Sequence, residues 1–462
     1  MPNPFARNMI AWRVLLLRRN ASEGLAVETE RGLCLPEIEI PEGCRVARSL
    51  NEAIKDKWGI DAYSLYPLDP AGASPIYVIE ALSFDAEPPE SSRWLALNVT
   101  LSSEFSDPAD FEAIRRWRHK LAASQQDRSI DPFAEPGWLP SCQDWVAECL
   151  QPIPLTLTGV FLQCNASPTF SLIRFETDGA AAWFKAVGEP NLREYAVTSL
   201  LCTELPAFLP RVLGAKPEWH AWVALEADGT PLSQTSEFPS WRQAARDLAA
   251  MQKESRRLAS VLLQSGARDI RTNALCSQID TFVSLMRELM ARQVQERPSR
   301  LTNSEIDLLE EDLRTALQFL QHDGTPDSLL HLDLHPDNVI AGAGKTVFLD
   351  WAEVGVGHPF LSFAYFLEHF RRQFTNSDRL LDSLAHEYLS VWNSGDSLDT
   401  VRTLSASALA AVFAYAISIP VDRDKIFRDH SLAGYFRSLA RRMKRYGERA
   451  HSETASFREV IA

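Results

Sequence analysis

The most informative segment of the chain is His331-Leu332-Asp333-Leu334-His335-Pro336-Asp337-Asn338, which is followed closely by Val347-Phe348-Leu349-Asp350-Trp351. Phosphoryl transfer from ATP requires a carboxylate near the attacking hydroxyl and two oxygen ligands for magnesium. Asp333, Asn338 and Asp350 supply these groups in that order, and apolar residues on either side of a turn at 342–345 predict a hairpin that brings Asn338 and Asp350 together. The alternative is that the three are ordinary turn and helix-capping residues.

The pattern H-x-D-x-H-x-x-N, a hairpin, then Asp before an aromatic residue resembles the aminoglycoside phosphotransferase and choline kinase superfamily. The resemblance implies an α+β, bilobal protein-kinase-like fold with a small β-rich N-lobe and a helical C-lobe. It implies that Asp333 accepts or orients the proton of the substrate hydroxyl, and that Asn338 and Asp350 bind Mg²⁺. His335 stands where protein kinases place a lysine near the γ-phosphate, with a bracing role as its alternative. His331 is expected to hydrogen-bond the backbone near Asp350.

The same resemblance implies which residues bind the nucleotide. Lys185 ends an apolar strand and is the lysine expected to contact the α- and β-phosphates, held by an ion pair to Glu194 nine residues later. A lysine at a strand end and a glutamate in the first turn of a helix are the alternative. Ser167 lies in a turn without glycine, where it is either a phosphate contact or an ordinary hairpin residue. Adenine is expected near the backbone of Glu226 and Ala227.

Composition narrows the class of protein. The chain has 462 residues, enough for two or three domains, and a net charge of -14, which disfavours nucleic acid and anionic membranes as partners. Its seven cysteines form no C-x-x-C pair, which is typical of reduced thiols in a cytoplasmic protein. The longest apolar stretch, 406–420, is short for a membrane span.

The chain is predicted to divide into four parts: 1–130, a linker at 131–155 with a short helix near 143–150, an N-lobe at 156–227 and a C-lobe at 228–462. The first part resembles a Nudix hydrolase domain, with a helix at 49–58 that ends at Gly59. Nudix enzymes hold magnesium with an R-E-x-x-E-E cluster, but here Ala53 and Lys57 replace two of its glutamates. A lysine among metal ligands repels the ion, so this domain is expected to be Nudix-like and not hydrolytic.

The sequence therefore predicts an ATP- and Mg²⁺-dependent kinase that phosphorylates a hydroxyl of a small molecule. The alternatives are a nucleotide-binding pseudokinase or scaffold, and a bifunctional enzyme with an active Nudix hydrolase. A cationic substrate is one option. Four acidic residues could contact it, although they could equally be ordinary surface residues: Glu353, Glu368, Asp422 and Asp424.

Ser362 replaces an Asp that relatives often have there to brace the loop. Six basic residues of the last helix, from Arg437 to Arg449, are expected to be solvated or ion-paired, with an anionic partner as the alternative.

Overall fold

A computed structural model describes residues 8–69, 75–100, 102–127, 132–375, 378–392 and 398–461. The chain divides into two compact units. The first comprises Met1–Tyr195 and Arg211–Glu226, and the second comprises Ala196–Pro210 and Ala227–Ala462. The first is rich in strands and the second is mainly helical, so the predicted α+β class is confirmed.

The first unit contains two sheets. The first has seven strands, with β3-β2-β1-β6-β5 in order, β4 beside β1 and β7 beside β2. The second has five antiparallel strands in the order β11-β12-β10-β9-β8. The strands are β1 (Met9–Arg18), β2 (Glu23–Thr29), β3 (Gly32–Cys34), β4 (Glu37–Pro41), β5 (Ala62–Asp69), β6 (Ile76–Ala81), β7 (Ser92–Ala96), β8 (Leu157–Ser167), β9 (Phe170–Thr177), β10 (Ala182–Val187), β11 (Val212–Lys216) and β12 (Ala221–Leu225). The helices are α1 (Val46–Trp58), α2 (Pro108–Asp127), α3 (Trp138–Leu150) and the start of α4 (Leu192–Glu204).

One hydrophobic core joins the two sheets of the first unit. It includes Leu15 and Val78 of the seven-stranded sheet together with Ile173 and Phe184 of the five-stranded sheet. Trp138 of α3 lies in the same core, and its ring centroid is 5.7 Å from that of Phe184. The predicted linker therefore contains a helix that is longer than expected and whose apolar face is buried.

A buried polar contact also joins the two sheets. The side chain of Gln163 in β8 accepts a hydrogen bond from the backbone N–H of Ser64 at 2.7 Å and donates one to its carbonyl at 2.8 Å. It also accepts a bond from the amide of Asn51 at 2.9 Å. Because Gln163 is buried, each of these groups depends on the others for its hydrogen bond.

The second unit contains two three-stranded sheets and most of the helices. Its sheets run in the orders β13-β16-β17 and β14-β18-β15. The strands are β13 (Thr230–Pro231), β14 (Arg268–Ile270), β15 (Ser328–His331), β16 (Val339–Ala341), β17 (Thr346–Phe348) and β18 (Val354–Gly357). The helices are α5 (Phe238–Ser255), α6 (Ala259–Gln264), α7 (Thr272–Ala291), α8 (Asn303–His322), α9 (Phe360–Gln373), α10 (Asp378–Val391), α11 (Leu398–Ser418), α12 (Arg423–Arg428) and α13 (His430–Ile461).

Two apolar clusters hold this unit together. One packs Trp241 of α5 against Phe366 and Phe370 of α9, with ring centroids 5.1 and 5.4 Å apart. The other packs α7, α8, α11 and α13, for example Phe282 against Phe413 at 5.2 Å. In the part of the chain that the structure describes, no helix combines the length and apolarity needed to cross a membrane.

Candidate active site

The loop with the predicted catalytic residues starts from β15, an edge strand whose last residue is His331. The hydroxyl of Ser362 in α9 accepts a hydrogen bond from the His331 N–H at 3.0 Å and donates one to the His331 carbonyl at 3.1 Å. Both residues are buried, so Ser362 satisfies two backbone groups that water does not reach. A serine therefore braces the strand at the position where an Asp was expected.

The His331 side chain joins the two halves of the motif. Its Nε2 lies 2.8 Å from the carbonyl oxygen of Leu349, which directly precedes Asp350. Its ring centroid lies 4.7 Å from that of Trp351. The predicted backbone contact near Asp350 is confirmed, and it fixes the spacing between the loop and the second acid.

Asn338 and Asp350 are brought together by a hairpin. Strands β16 and β17 pair antiparallel with Val339 opposite Phe348, and the Leu349 N–H donates to the Asn338 carbonyl at 2.8 Å. The Asn338 side-chain amide donates to the Asp333 carbonyl at 3.1 Å. Because that bond uses the nitrogen, it orients the amide and leaves the Asn338 Oδ1 as an acceptor.

The donor atoms of this hairpin fit a hard cation. Asp350 is exposed and has φ of 61°, a left-handed conformation that Asp and Asn adopt more readily than most residues. Among the described residues, no group of three or more His, Cys, Asp and Glu side chains could hold a metal ion. A carboxylate and an amide oxygen suit Mg²⁺, which usually keeps several waters and takes further oxygens from phosphate.

His335 lies on the side of the loop that faces α9. Its Nδ1 is 3.1 Å from Asp337 Oδ2, and its ring centroid is 4.8 Å from that of His369. His369 in turn lies 4.7 Å from the ring of Tyr365. Burial, followed by the charge of His335, lowers the pKa of His369 to about 4, so His369 is neutral at pH 7. Sequence reasoning missed both α9 residues, although their spacing places them on one helix face.

Lys185 and Glu194 form an ion pair within the first unit. Their side chains are 12% and 3% exposed. Lys185 lies on β10 between Phe184, which points into the core, and Ala186, so strand alternation turns it to the opposite face. Its ammonium is also 5.0 Å from the ring centroid of Phe170. The pair has the geometry expected of a lysine held in an extended position.

The other residues predicted to bind the nucleotide form hydrogen bonds or ion pairs with nearby residues. The Ser167 hydroxyl donates to the Phe170 carbonyl at 3.1 Å and accepts from the Thr169 N–H at 3.3 Å, closing the two-residue hairpin turn. The Glu226 carboxylate pairs with Arg174 at 2.8 Å. The Glu226 N–H donates to Ala181 at 2.8 Å, which leaves the Glu226 carbonyl and the backbone of Ala227 as the adenine-binding candidates.

Part of the chain matches a known protein family. Residues 188–398 match the model of APH, a phosphotransferase enzyme family. The matched region includes Asp333, Asn338 and Asp350 and begins just after Lys185. No curated protein matches the sequence of the chain. The family match supports a small-molecule phosphotransferase.

Several solved structures are similar to parts of the chain. A macrolide 2′-phosphotransferase from Brachybacterium faecium is 14% identical, with a TM-score of 0.43, over 65% of this chain and 98% of that one. An ethanolamine kinase from Plasmodium vivax is 15% identical, with a TM-score of 0.41, over 62% of this chain and 82% of that one. A spectinomycin phosphotransferase solved with ADP and spectinomycin is 12% identical, with a TM-score of 0.41, over 67% and 98%.

Proposed function

We propose that the protein is an ATP- and Mg²⁺-dependent phosphotransferase that moves the γ-phosphate to a hydroxyl group of a small molecule. The observation that carries the proposal is the bond from the Asn338 amide to the Asp333 carbonyl. It orients the Asn338 side chain, the proposed magnesium ligand, relative to the proposed base, and the β16–β17 hairpin connects Asn338 to the segment that carries Asp350.

In the proposed reaction the acceptor oxygen attacks the γ-phosphorus, and the bond from that phosphorus to the bridging oxygen of ADP breaks. The hydroxyl proton passes to the Asp333 carboxylate, and the products are ADP and a phosphate ester. A bound Mg²⁺ would neutralise charge on the phosphates. Asn338 and Asp350 would hold that ion, while Lys185, oriented by Glu194, would contact the α- and β-phosphates.

The first test replaces Asp333. We expect Asp333→Asn to lower kcat by about a thousandfold or more while leaving nucleotide affinity within roughly threefold, because the base acts in the chemical step. ADP release is measured with a panel of hydroxyl compounds, and ATP affinity by calorimetry. The matched control is Asp280→Asn, which removes an exposed carboxylate on α7. Native turnover by Asp333→Asn would exclude its proposed role, and nucleotide binding without transfer by the native protein would favour a pseudokinase scaffold.

The second test concerns the metal. Asp350→Asn is preferable to Asp350→Ala, because Asn tolerates the left-handed backbone at this position and separates loss of charge from strain. We expect the variant to fold normally and to lose most of the Mg²⁺ dependence of its ATP affinity. An unchanged dependence would remove Asp350 from the proposed metal site.

We also propose that the N-terminal domain is Nudix-like in arrangement and does not hydrolyse nucleotides. Three charged residues of α1 have local partners: Glu52 pairs with Arg48 at 2.8 Å, and the Lys57 ammonium donates to the Glu37 carbonyl at 3.2 Å. Ala53 and Lys57 lie on this helix at two positions where metal-binding glutamates would be needed. Release of products from ADP-ribose or deoxynucleoside triphosphates would contradict this proposal.

A further inference from the structure

A cavity of about 360 Å³ opens among α9, α11 and α13 of the second unit. Its volume lies within the range of small-molecule sites. The helix α11 contributes small residues that leave the space open, and the polar lining comes mainly from the three helices' aromatic and basic residues: Tyr365, Arg372, Tyr415, Arg442, Arg445 and Tyr446.

This cavity adjoins the catalytic loop. Tyr365 lines it, and the Tyr365 ring contacts His369, which contacts His335 two residues after Asp333. Burial, followed by the negative charge of Asp333, raises the pKa of Tyr365. The cavity is therefore next to the carboxylate that is proposed to receive the acceptor's proton.

The charge of the cavity is positive, although the chain as a whole is acidic. Glu368 lies beside it, within 3.2 Å of Arg372 and 3.5 Å of Arg442, and accepts a hydrogen bond from the Tyr446 hydroxyl at 2.5 Å. Burial opposes ionisation of Glu368, but the Tyr446 hydrogen bond and the two arginines outweigh it and lower its pKa. The cavity lining thus includes three guanidinium groups, and Glu368 contacts two of them, those of Arg372 and Arg442.

Two of the lining groups have hydrogen-bonding capacity to spare. Over the described ranges of the chain, the Arg445 guanidinium makes no ion pair or hydrogen bond, and the Tyr365 hydroxyl makes no hydrogen bond. A guanidinium binds carboxylate or phosphate through two parallel hydrogen bonds. Tyrosine rings provide flat surfaces with a polar edge, which suit a sugar or another ring.

Apart from Glu368, the acids considered for a cationic substrate do not offset this charge. Glu353 is paired with Arg268 at 2.5 Å, and the Asp422 side chain caps α12. Asp424 lies near Arg428. None of the three lines the cavity. The surface nearest to the proposed base is therefore suited to an anion and not to an amine.

We propose that the acceptor is an alcohol that also carries a carboxylate or phosphate group, which Arg442 and Arg445 bind in this cavity while the hydroxyl faces Asp333. This inference rests on the proposed function for the direction of transfer, but the anion site can be tested by binding alone. Two of the basic residues of α13 would thus bind an anion, whereas the sequence favoured a solvated or ion-paired surface for all six.

The test uses four sugars that share a hexose ring: glucose, glucosamine, glucuronate and glucose 6-phosphate. Affinity is measured by calorimetry on the full chain without nucleotide, and ADP release is measured separately with ATP and Mg²⁺. We expect one or both anionic sugars to bind at least about tenfold more tightly than glucose. Arg445→Gln and Arg442→Gln should each remove about tenfold of that preference. Comparison of the affinities for glucuronate and glucose 6-phosphate shows whether the site prefers a carboxylate or a phosphate group.

The matched control is Arg371→Gln, which removes the same charge from the residue beside Arg372 without changing the cavity lining. It should leave the preference intact. Equal or tighter binding of glucose or glucosamine, or an anion preference that survives both Arg442→Gln and Arg445→Gln, would overturn the inference while leaving a kinase possible. Selective anion binding without ADP release from any sugar would support the anion site and count against the proposed function.

Discussion

Replacement of Glu194 by Gln should destabilise the first unit far more than loss of a surface ion pair. Exposed pairs contribute about 0–1 kcal/mol, whereas breaking a buried pair typically costs about 3–5 kcal/mol. The Glu194 side chain is 3% exposed and that of Lys185 is 12% exposed, so the pair belongs with the buried ones. Because Lys185 keeps some contact with solvent, we expect the lower end, about 3 kcal/mol.

The consequence is measurable as a melting temperature. For domains of about 150–250 residues, 1 kcal/mol corresponds to roughly 2–4 °C, so Glu194→Gln should lower Tm by about 6–12 °C. Circular dichroism and urea unfolding of the full chain provide the two measurements. Glu112→Gln is the control, because Glu112 pairs with Arg115 on the exposed face of α2 and its loss should change Tm little.

A second variant separates stability from function. In Lys185→Met/Glu194→Gln the buried positive charge is also removed, so we expect most of the lost stability to return. ATP affinity should nevertheless fall by about tenfold or more, since the proposed phosphate contact is gone. A Tm for Glu194→Gln equal to that of Glu112→Gln would show that the buried pair contributes no more than an exposed one. Full ATP affinity in the double variant would exclude the phosphate contact of Lys185.

Two further predictions concern buried hydrogen bonds. Ser362→Ala leaves the N–H and carbonyl of His331 without their side-chain partner, so it should lower the free energy of unfolding by about 1–3 kcal/mol and lower kcat more than it raises the KM for ATP. The control Ser277→Ala, which removes an exposed hydroxyl on α7, should have neither effect. An unaltered kcat in Ser362→Ala would contradict the bracing role. Gln163→Leu removes both hydrogen bonds to the Ser64 backbone and should destabilise the first unit by about 2–5 kcal/mol. The change is measured by urea unfolding followed by tryptophan fluorescence. An unfolding midpoint equal to that of the native chain would show that this contact does not stabilise the unit.

Local patterns predicted much of the local structure. The β16–β17 hairpin, the contact of His331 with Leu349 and the helix that ends at Gly59 all follow from short-range chemistry. Gly59 has φ of 67° and donates its N–H to Lys55, as a C-terminal glycine should. These features depend on residues close in sequence, or on a hairpin of fixed length.

Long-range packing could not be predicted from the sequence in the same way. The strands β2 and β5 were not predicted. In β5, Pro67 and two irregularities in the pairing with β6 disturb the simple alternation of buried and exposed residues. The positive cavity was missed because its residues come from three helices whose relative rotation is set by packing. The roles of Asp333, Asn338, Asp350, Lys185 and Glu194 remain predictions, with a geometry that supports them.

The shared core of the first unit has a consequence for how this protein can be divided. The region that matches the phosphotransferase family begins at residue 188, after the strand that carries Lys185. The reverse face of that strand is covered by Trp138, which precedes the matched region by fifty residues. A fragment trimmed to the recognisable segment would lose both the lysine and its support. The N-terminal third is thus a structural component of the unit that carries Lys185, and exchanging it for the corresponding part of another protein would require new packing behind this lysine.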